Sequence, residues 1–273
     1  MNLRGLVNQY RAEGYTLANA NAKVCQDVIL NKIAKTTISR NVTIKGGVVM
    51  MGLSKDKRRA TSDLDIDFIR YSLDDESIIN FIQKLNNVGD KISVEVILPI
   101  KKLNHQDYDG KRVFVRMHDN YKNTIEAKID IGVHKDFDVK QEEFYFDLSN
   151  IEESVSLLVN SKEQIIVEKL KSLLKIGFTS TRYKDVFDFY YLINMTSLDK
   201  DKLLIYINKY ICDNENMKED NVLDIYKRLN SILNNKVFTQ DLNNVKNNWL
   251  QLPVRDVIKN VLEFFKSLET AEV

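Results

Sequence analysis

Lys45-Gly46-Gly47, then Arg59-Ala60-Thr61-Ser62-Asp63-Leu64-Asp65-Ile66-Asp67-Phe68-Ile69, is the stretch on which the fold turns. Over residues 64–69, Leu64, Ile66 and Phe68 alternate with Asp65 and Asp67, and Asp63 precedes them in phase. A period of two belongs to a strand buried on one face, so the three aspartates share the other. Upstream, residues 42–44 predict a short strand that ends at a Gly-Gly turn. The apolar run VVMMGL and a basic loop, KDKRR at 55–59, fill the gap.

Working outward, apolar stripes predict helices over 17–36 and 75–87, and further strands over 92–98, 112–117 and 124–131. Asp109-Gly110 signals a turn before the second of these. In the third, Glu126, Lys128 and Asp130 face one way and the apolar residues the other. From about residue 151 the pattern is helical throughout. Ser161-x-x-Gln164 has the spacing of a capping box, and Gly177 suits the end of the helix it opens. Helices follow over 182–195 and about 200–211, 218–234, 238–250 and 254–268, with Pro253 in the first turn of the last. The expected fold class is α+β. A mixed β-sheet flanked by helices occupies residues 1–150, and an all-helical domain occupies 151–273.

With 44% hydrophobic and 29% charged residues among 273, the chain is not disordered. Nine Gly and two Pro exclude collagen-like chains and all-β folds with many tight turns. The net charge of +1 excludes a globally basic nucleic-acid coat. Cys25 and Cys212 form no disulfide framework or zinc knuckle. No apolar run reaches the ~18 residues of a membrane span, and no leader is visible, so a reducing cytoplasm is the expected location. His105, His118 and His134 are scattered, and no P-loop occurs, so neither a hydrolytic triad nor a Walker site is supported.

Two carboxylates at i and i+2 on a strand point the same way and can share a hard cation. Magnesium takes one or two carboxylates together with substrate phosphates. A Gly-Gly turn lets backbone N–H groups approach those phosphates. Asp63/Asp65 is one such pair, and Asp65/Asp67 is spaced identically. Asp130 is the candidate third carboxylate, with Glu126 its competitor on the same face. Lys169, within Glu168-Lys169-Leu170, and Lys184, Asp185 and Asp188 lie on helices. Read alone, the last three are helix-surface ion pairs.

In order, Lys45-Gly46-Gly47, Arg59 to Ile66, Asp130 at the end of its alternation, Glu168-Lys169-Leu170 and Arg182-Tyr183-Lys184-Asp185-Val186-Phe187-Asp188 resemble the AbiEii/AbiGii toxin family. That family belongs to the nucleotidyltransferase superfamily, with the polymerase-β-like fold. The resemblance covers roughly residues 42–195 and favours Asp63/Asp65, because Arg59-x-Thr61-x precedes them. It implies the toxin of a bacterial toxin–antitoxin or abortive-infection system, an enzyme that transfers NMP from an NTP to an acceptor hydroxyl at the 3' end of tRNA. Nucleotidylation of a small molecule or protein, or non-catalytic nucleotide binding, are the alternatives. It further implies Asp63, Asp65 and Asp130 as ligands of two Mg²⁺ ions, and Lys169 and Asp188 as catalytic residues. Gly46, Gly47, Arg59, Lys184 and Asp185 would contact the nucleotide, and a separately encoded antitoxin would be the partner. Lys101, Lys102, Lys111, Arg112, Arg116 and the basic N-terminal segment are candidate RNA-backbone contacts, whose contribution weakens with salt.

Overall fold

The aspartate strand is the central strand of a seven-stranded sheet in the computed structural model, which describes residues 2–103, 110–136, 138–148, 151 and 154–269. His105, the Asp109 half of the expected turn, Glu152 and Glu153 lie outside the described residues. The chain forms two compact units, Met1–Asn160 and Ser161–Val273.

In the first unit the strands are β1 (Val42–Lys45), β2 (Leu64–Ile69), β3 (Ile92–Leu103), β4 (Gly110–Asp119), β5 (Thr124–His134), β6 (Glu142–Phe146) and β7 (Val155–Val159). Their order is β3-β4-β5-β2-β1-β7-β6. β2 pairs antiparallel with β1 and parallel with β5, and β7 runs parallel to β1. The sheet is therefore mixed, as expected. The strand at 155–159 extends it, so the division falls after Asn160 and not after residue 150. The acidic flavour of residues 142–147 hid β6, whose residues are mostly exposed edge positions.

Alternation in β2 settles which face is core. Leu64, Ile66 and Phe68 are at most 2% exposed and line up with Ile44, Ile129 and Ile131. Helices α2 (Leu17–Ala34) and α4 (Asp75–Leu85) cover apolar surface with Val24, Val28 and Ile33 and with Ile78, Phe81 and Ile82. Phe81 meets Phe68 edge-on, ring centroids 5.0 Å apart. Each such side chain contributes about 1.5–3 kcal/mol on burial. Helix α1 (Leu3–Ala12) buries Leu3, Leu6, Val7 and Tyr10, an i, i+3, i+4, i+7 stripe. The opposite face of β2 is left to the aspartates.

The run GGVVMMGLS is not a turn followed by an apolar stretch. It is helix α3 (Gly46–Ser54), buried through Gly47 to Met51. A short apolar run carries no period that separates helix from strand, and here the packing decides.

The second unit is helical: α5 (Lys162–Ile176), α6 (Tyr183–Met195), α7 (Lys200–Ile207), α8 (Val222–Leu233), α9 (Lys236–Leu242) and α10 (Val254–Glu269). Ser161 caps α5 by accepting from the Gln164 N–H, and Gly177 ends it at a positive φ of 72°. Phe189 of α6 packs on Phe265 of α10, centroids 5.9 Å apart. The helix expected over 238–250 stops at Leu242. Asn244 and Asn247 bond instead to nearby backbone, the competition that disfavours Asn inside helices. No described helix is long and apolar enough to cross a membrane.

Candidate active site

Strand register gathers the charged face. Asp65 of β2 is the partner of Asp130 on β5, about 4.8 Å across the ladder. On its other side Asp65 opposes Lys45 of β1, and Asp130 opposes Arg112 of β4. One cross-strand row therefore reads Lys45, Asp65, Asp130, Arg112. Glu126 lies four residues earlier in β5 and pairs with Arg116, so Asp130 is the carboxylate beside Asp65. Asp67, also spaced for a metal pair, is only 5% exposed, opposes Gly132, and forms an ion pair with Lys45 at 2.7 Å. Asp65, half-buried, is the better placed of the two.

The mutual repulsion of these carboxylates is met by the protein's own cations. Arg112 donates to both oxygens of Asp130, Nε to Oδ1 at 2.8 Å and Nη2 to Oδ2 at 2.7 Å. Lys128 pairs with Asp63 at 2.8 Å, and the Ser62 hydroxyl donates to the same carboxylate. Arg112 is held above the ordinary guanidinium range. The hydrogen bonds to Asp130 dominate, partial desolvation opposes them, and the charges of Asp130, Asp63 and Asp65 add to the effect. One guanidinium thus feels all three carboxylates. Of the cations expected to face RNA, Arg112 is paired with Asp130. Lys111 pairs with Asp75, and Arg116 with Glu126 and Glu95.

Above Asp65 stands the N-terminus of α3. Gly46 has φ +68°, and a Cβ there would lie 2.2 Å from Asp65 Oδ2. A Cβ on Gly47 would lie 2.8 Å from the Thr61 side chain. Bare backbone is therefore required at both positions, and it brings the start of the helix onto the carboxylate. The Lys45 side chain at the N-cap does not cap α3, and the first N–H groups and the positive end of its dipole lie at this point, against Asp65. Gln26 from α2 donates to the carbonyls of Thr61 and Asp63 and fixes the turn that delivers the aspartates. Arg59 is 4% exposed, at the end of a 3-10 turn over Lys57–Arg59.

Among the described residues, no three His, Cys, Asp or Glu side chains are gathered as a metal-ion site. Asp63, Asp65 and Asp130 share a face, yet two of them are turned to Lys128 and Arg112. The donor chemistry nevertheless fits a hard divalent cation. Asp65 and Asp130 are neighbouring oxygen donors, and one or two carboxylates are what magnesium takes from a protein.

In the helical unit, Lys169 of α5 is 5% exposed and forms ion pairs with Asp185 and, at 2.8 Å, with Asp188, both of α6. Arg182 Nε donates to Asp185 at 2.6 Å, and the Trp249 indole N–H donates to Asp188 at 3.1 Å. Burial alone would raise the Asp185 carboxyl. The charges and hydrogen bonds of Lys169 and Arg182 outweigh it and bring the value down to about 2. Two cations thus balance two carboxylates, most of them out of water. These are not helix-surface pairs. Lys184 is half-buried on the same helix. Sequence reasoning missed Trp249, Lys128 and the pairing of Arg112. The single tryptophan carried the one available signal, because a buried indole N–H seeks an acceptor.

A family model described as "Nucleotidyl transferase AbiEii toxin, Type IV TA system" matches residues 28–260. Comparison with curated proteins gives no match. The matched span contains both charged clusters.

Proposed function

The chain belongs to the AbiEii family of nucleotidyl transferase toxins of type IV toxin–antitoxin systems, and on that premise we propose that it moves NMP from an NTP to the 3'-terminal hydroxyl of a tRNA in the bacterial cytoplasm. The observation that carries this reading is Asp65 beside Asp130, beneath a helix N-terminus where Gly46 leaves the backbone bare.

The N–H groups opening α3 at Gly46 and Gly47 hold the triphosphate, as helix N-termini commonly hold phosphates. Lys45 and Arg112, at the two ends of the row, add positive charge around the phosphates. Magnesium held by Asp63, Asp65 and Asp130, two ions in all, would supply the charge neutralisation that phosphoryl transfer chiefly needs. Asp130 helps activate the acceptor hydroxyl by taking its proton. The acceptor oxygen forms a bond to the α-phosphorus as the bond from that phosphorus to the bridging oxygen breaks and pyrophosphate leaves. Arg59 contributes positive charge near the phosphates. In the helical unit, Lys169 and Asp188 act as positioning residues, because the charge of Lys169 is already committed to Asp185 and Asp188. Together with Asp185 they hold α6. A separately encoded antitoxin is the regulatory partner.

The test is to incubate the protein with each labelled triphosphate and with total RNA, protein and metabolite fractions. Magnesium-dependent label in RNA, with pyrophosphate release, supports the proposal. Label in protein or in small molecules would move the acceptor elsewhere. Magnesium-dependent nucleotide binding without pyrophosphate would leave a non-catalytic module.

A further inference from the structure

A groove of about 940 Å³ lies wholly within the helical unit, between α8, α9 and α10. It is separate from the Lys169 cluster. Along α10, Arg255, Lys259, Leu262 and Lys266 recur at i, i+4, i+7 and i+11, so they fall on one face of the helix. Three of the four are exposed cations, and Lys236 at the start of α9 adds a fourth charge from the opposite wall. Among the described lining residues the one acid is Glu263, 3.8 Å from Lys259, and both of those side chains stand largely in solvent. No ion pair involves Lys236 or Arg255 among the described residues. The Lys266 ammonium lies 6.0 Å from the ring centroid of Tyr226, also in the lining.

Uncompensated like charges along one groove cost stability through self-repulsion, and an anionic occupant relieves it. We propose that this groove binds the sugar-phosphate backbone of single-stranded RNA; the claim rests on the nucleotidyl-transfer reading only for the view that such RNA is the acceptor. Arg255 and Lys259 are separated by about 6 Å of helix rise, comparable to the spacing of successive phosphates in an extended strand. Half-buried Tyr226 offers a ring on which a base stacks, with Leu262 beside it as apolar lining. Asn234, Gln240 and Asn243 carry amides that donate and accept at once, as base edges require. An acidic peptide would satisfy the cations but has no use for that combination of amides and ring.

The experiment measures binding of a fluorescein-labelled single-stranded RNA to the full chain by anisotropy, over 50–200 mM salt. The triple variant Lys236→Gln/Arg255→Gln/Lys259→Gln changes exposed side chains only, and its melting curve should match the wild type. We expect at least tenfold weaker binding, and a salt slope shallower by about 2, the value for three lost phosphate contacts to a single strand. Glu263→Gln should tighten binding two- to threefold. Asp65→Asn should bind RNA as the wild type does while losing transfer. RNA binding unchanged within twofold in the triple variant overturns the proposal. So does capture of a poly-glutamate peptide in place of RNA. If RNA binding depends on the groove but no label ever reaches RNA, the groove stands and the transfer reading falls.

Discussion

In the sheet unit, Asp65 and Asp130 sit side by side with lysine and arginine at the ends of their row, and Asp65 remains half-open beneath a helix start. In the helical unit, Lys169 sits between Asp185 and Asp188, all three buried, with buried Trp249 and exposed Arg182 completing their hydrogen bonds. Both are clusters of charge, but the first keeps Asp65 only half-buried, with Asp130 and Asp63 held by cations at its sides. The second has spent its charges on itself. A buried, balanced set of this kind orders the helices that carry it and is costly to break. The sheet cluster is therefore the place to look for chemistry, and the helical cluster for rigidity.

The widest separation between the two should come from Asp65→Asn. Transfer should fall by about 10³-fold or more, the order expected when charge stabilisation of a phosphoryl transition state is removed. The melting temperature should change little, which a thermal scan checks. Gly46→Ala strikes the same point through the backbone. A methyl group would overlap Asp65 Oδ2, and the positive φ adds about 1–2 kcal/mol of strain. Activity should drop steeply, with a modest loss on urea titration.

Lys169→Met should do the reverse. It leaves two buried carboxylates without their shared cation, and a loss of about 3–5 kcal/mol is expected on chemical denaturation. If this variant melts normally and loses only activity, the contrast between the clusters is wrong. Acid provides a milder probe of the same cluster. The Asp185 carboxyl is depressed to about 2 in the folded unit, so it contributes stability above the unfolded-state value near 4 and loses it as pH falls toward 2. Tryptophan fluorescence, reporting Trp249 beside Asp188, should shift over that window, and Asp185→Asn should remove the shift. The smallest effect belongs to Arg116→Ala. Its exposed pairs with Glu126 and Glu95 should leave both melting and transfer unchanged.

What could be read from the chain follows the range of the forces involved. Period-two alternation at 64–69 and 124–131 is local, and it gave the face on which Asp63, Asp65 and Asp130 stand. Register is not local. That Asp130 and not Glu126 meets Asp65, or that Arg112 reaches Asp130, depends on how β5 slides against β2 and β4. The Ser161 cap was legible because a cap is a three-residue contact. The link from Asp188 to Trp249 spans 61 positions and was not. Gly46-Gly47 was recognised as bare backbone, yet only packing shows that it opens a helix over Asp65. Strand β6 escaped because its edge position and acidic residues blur the alternation, and β7, inside the sheet, because its run is only five residues long.

The most direct test compares wild type with Asp65→Asn and Asp130→Asn for magnesium-dependent pyrophosphate release on total RNA. Release by the wild type and loss of it in both variants, each still folded by circular dichroism, is the predicted result. Undiminished release from either folded variant would contradict the assignment of the chemistry to the carboxylate row.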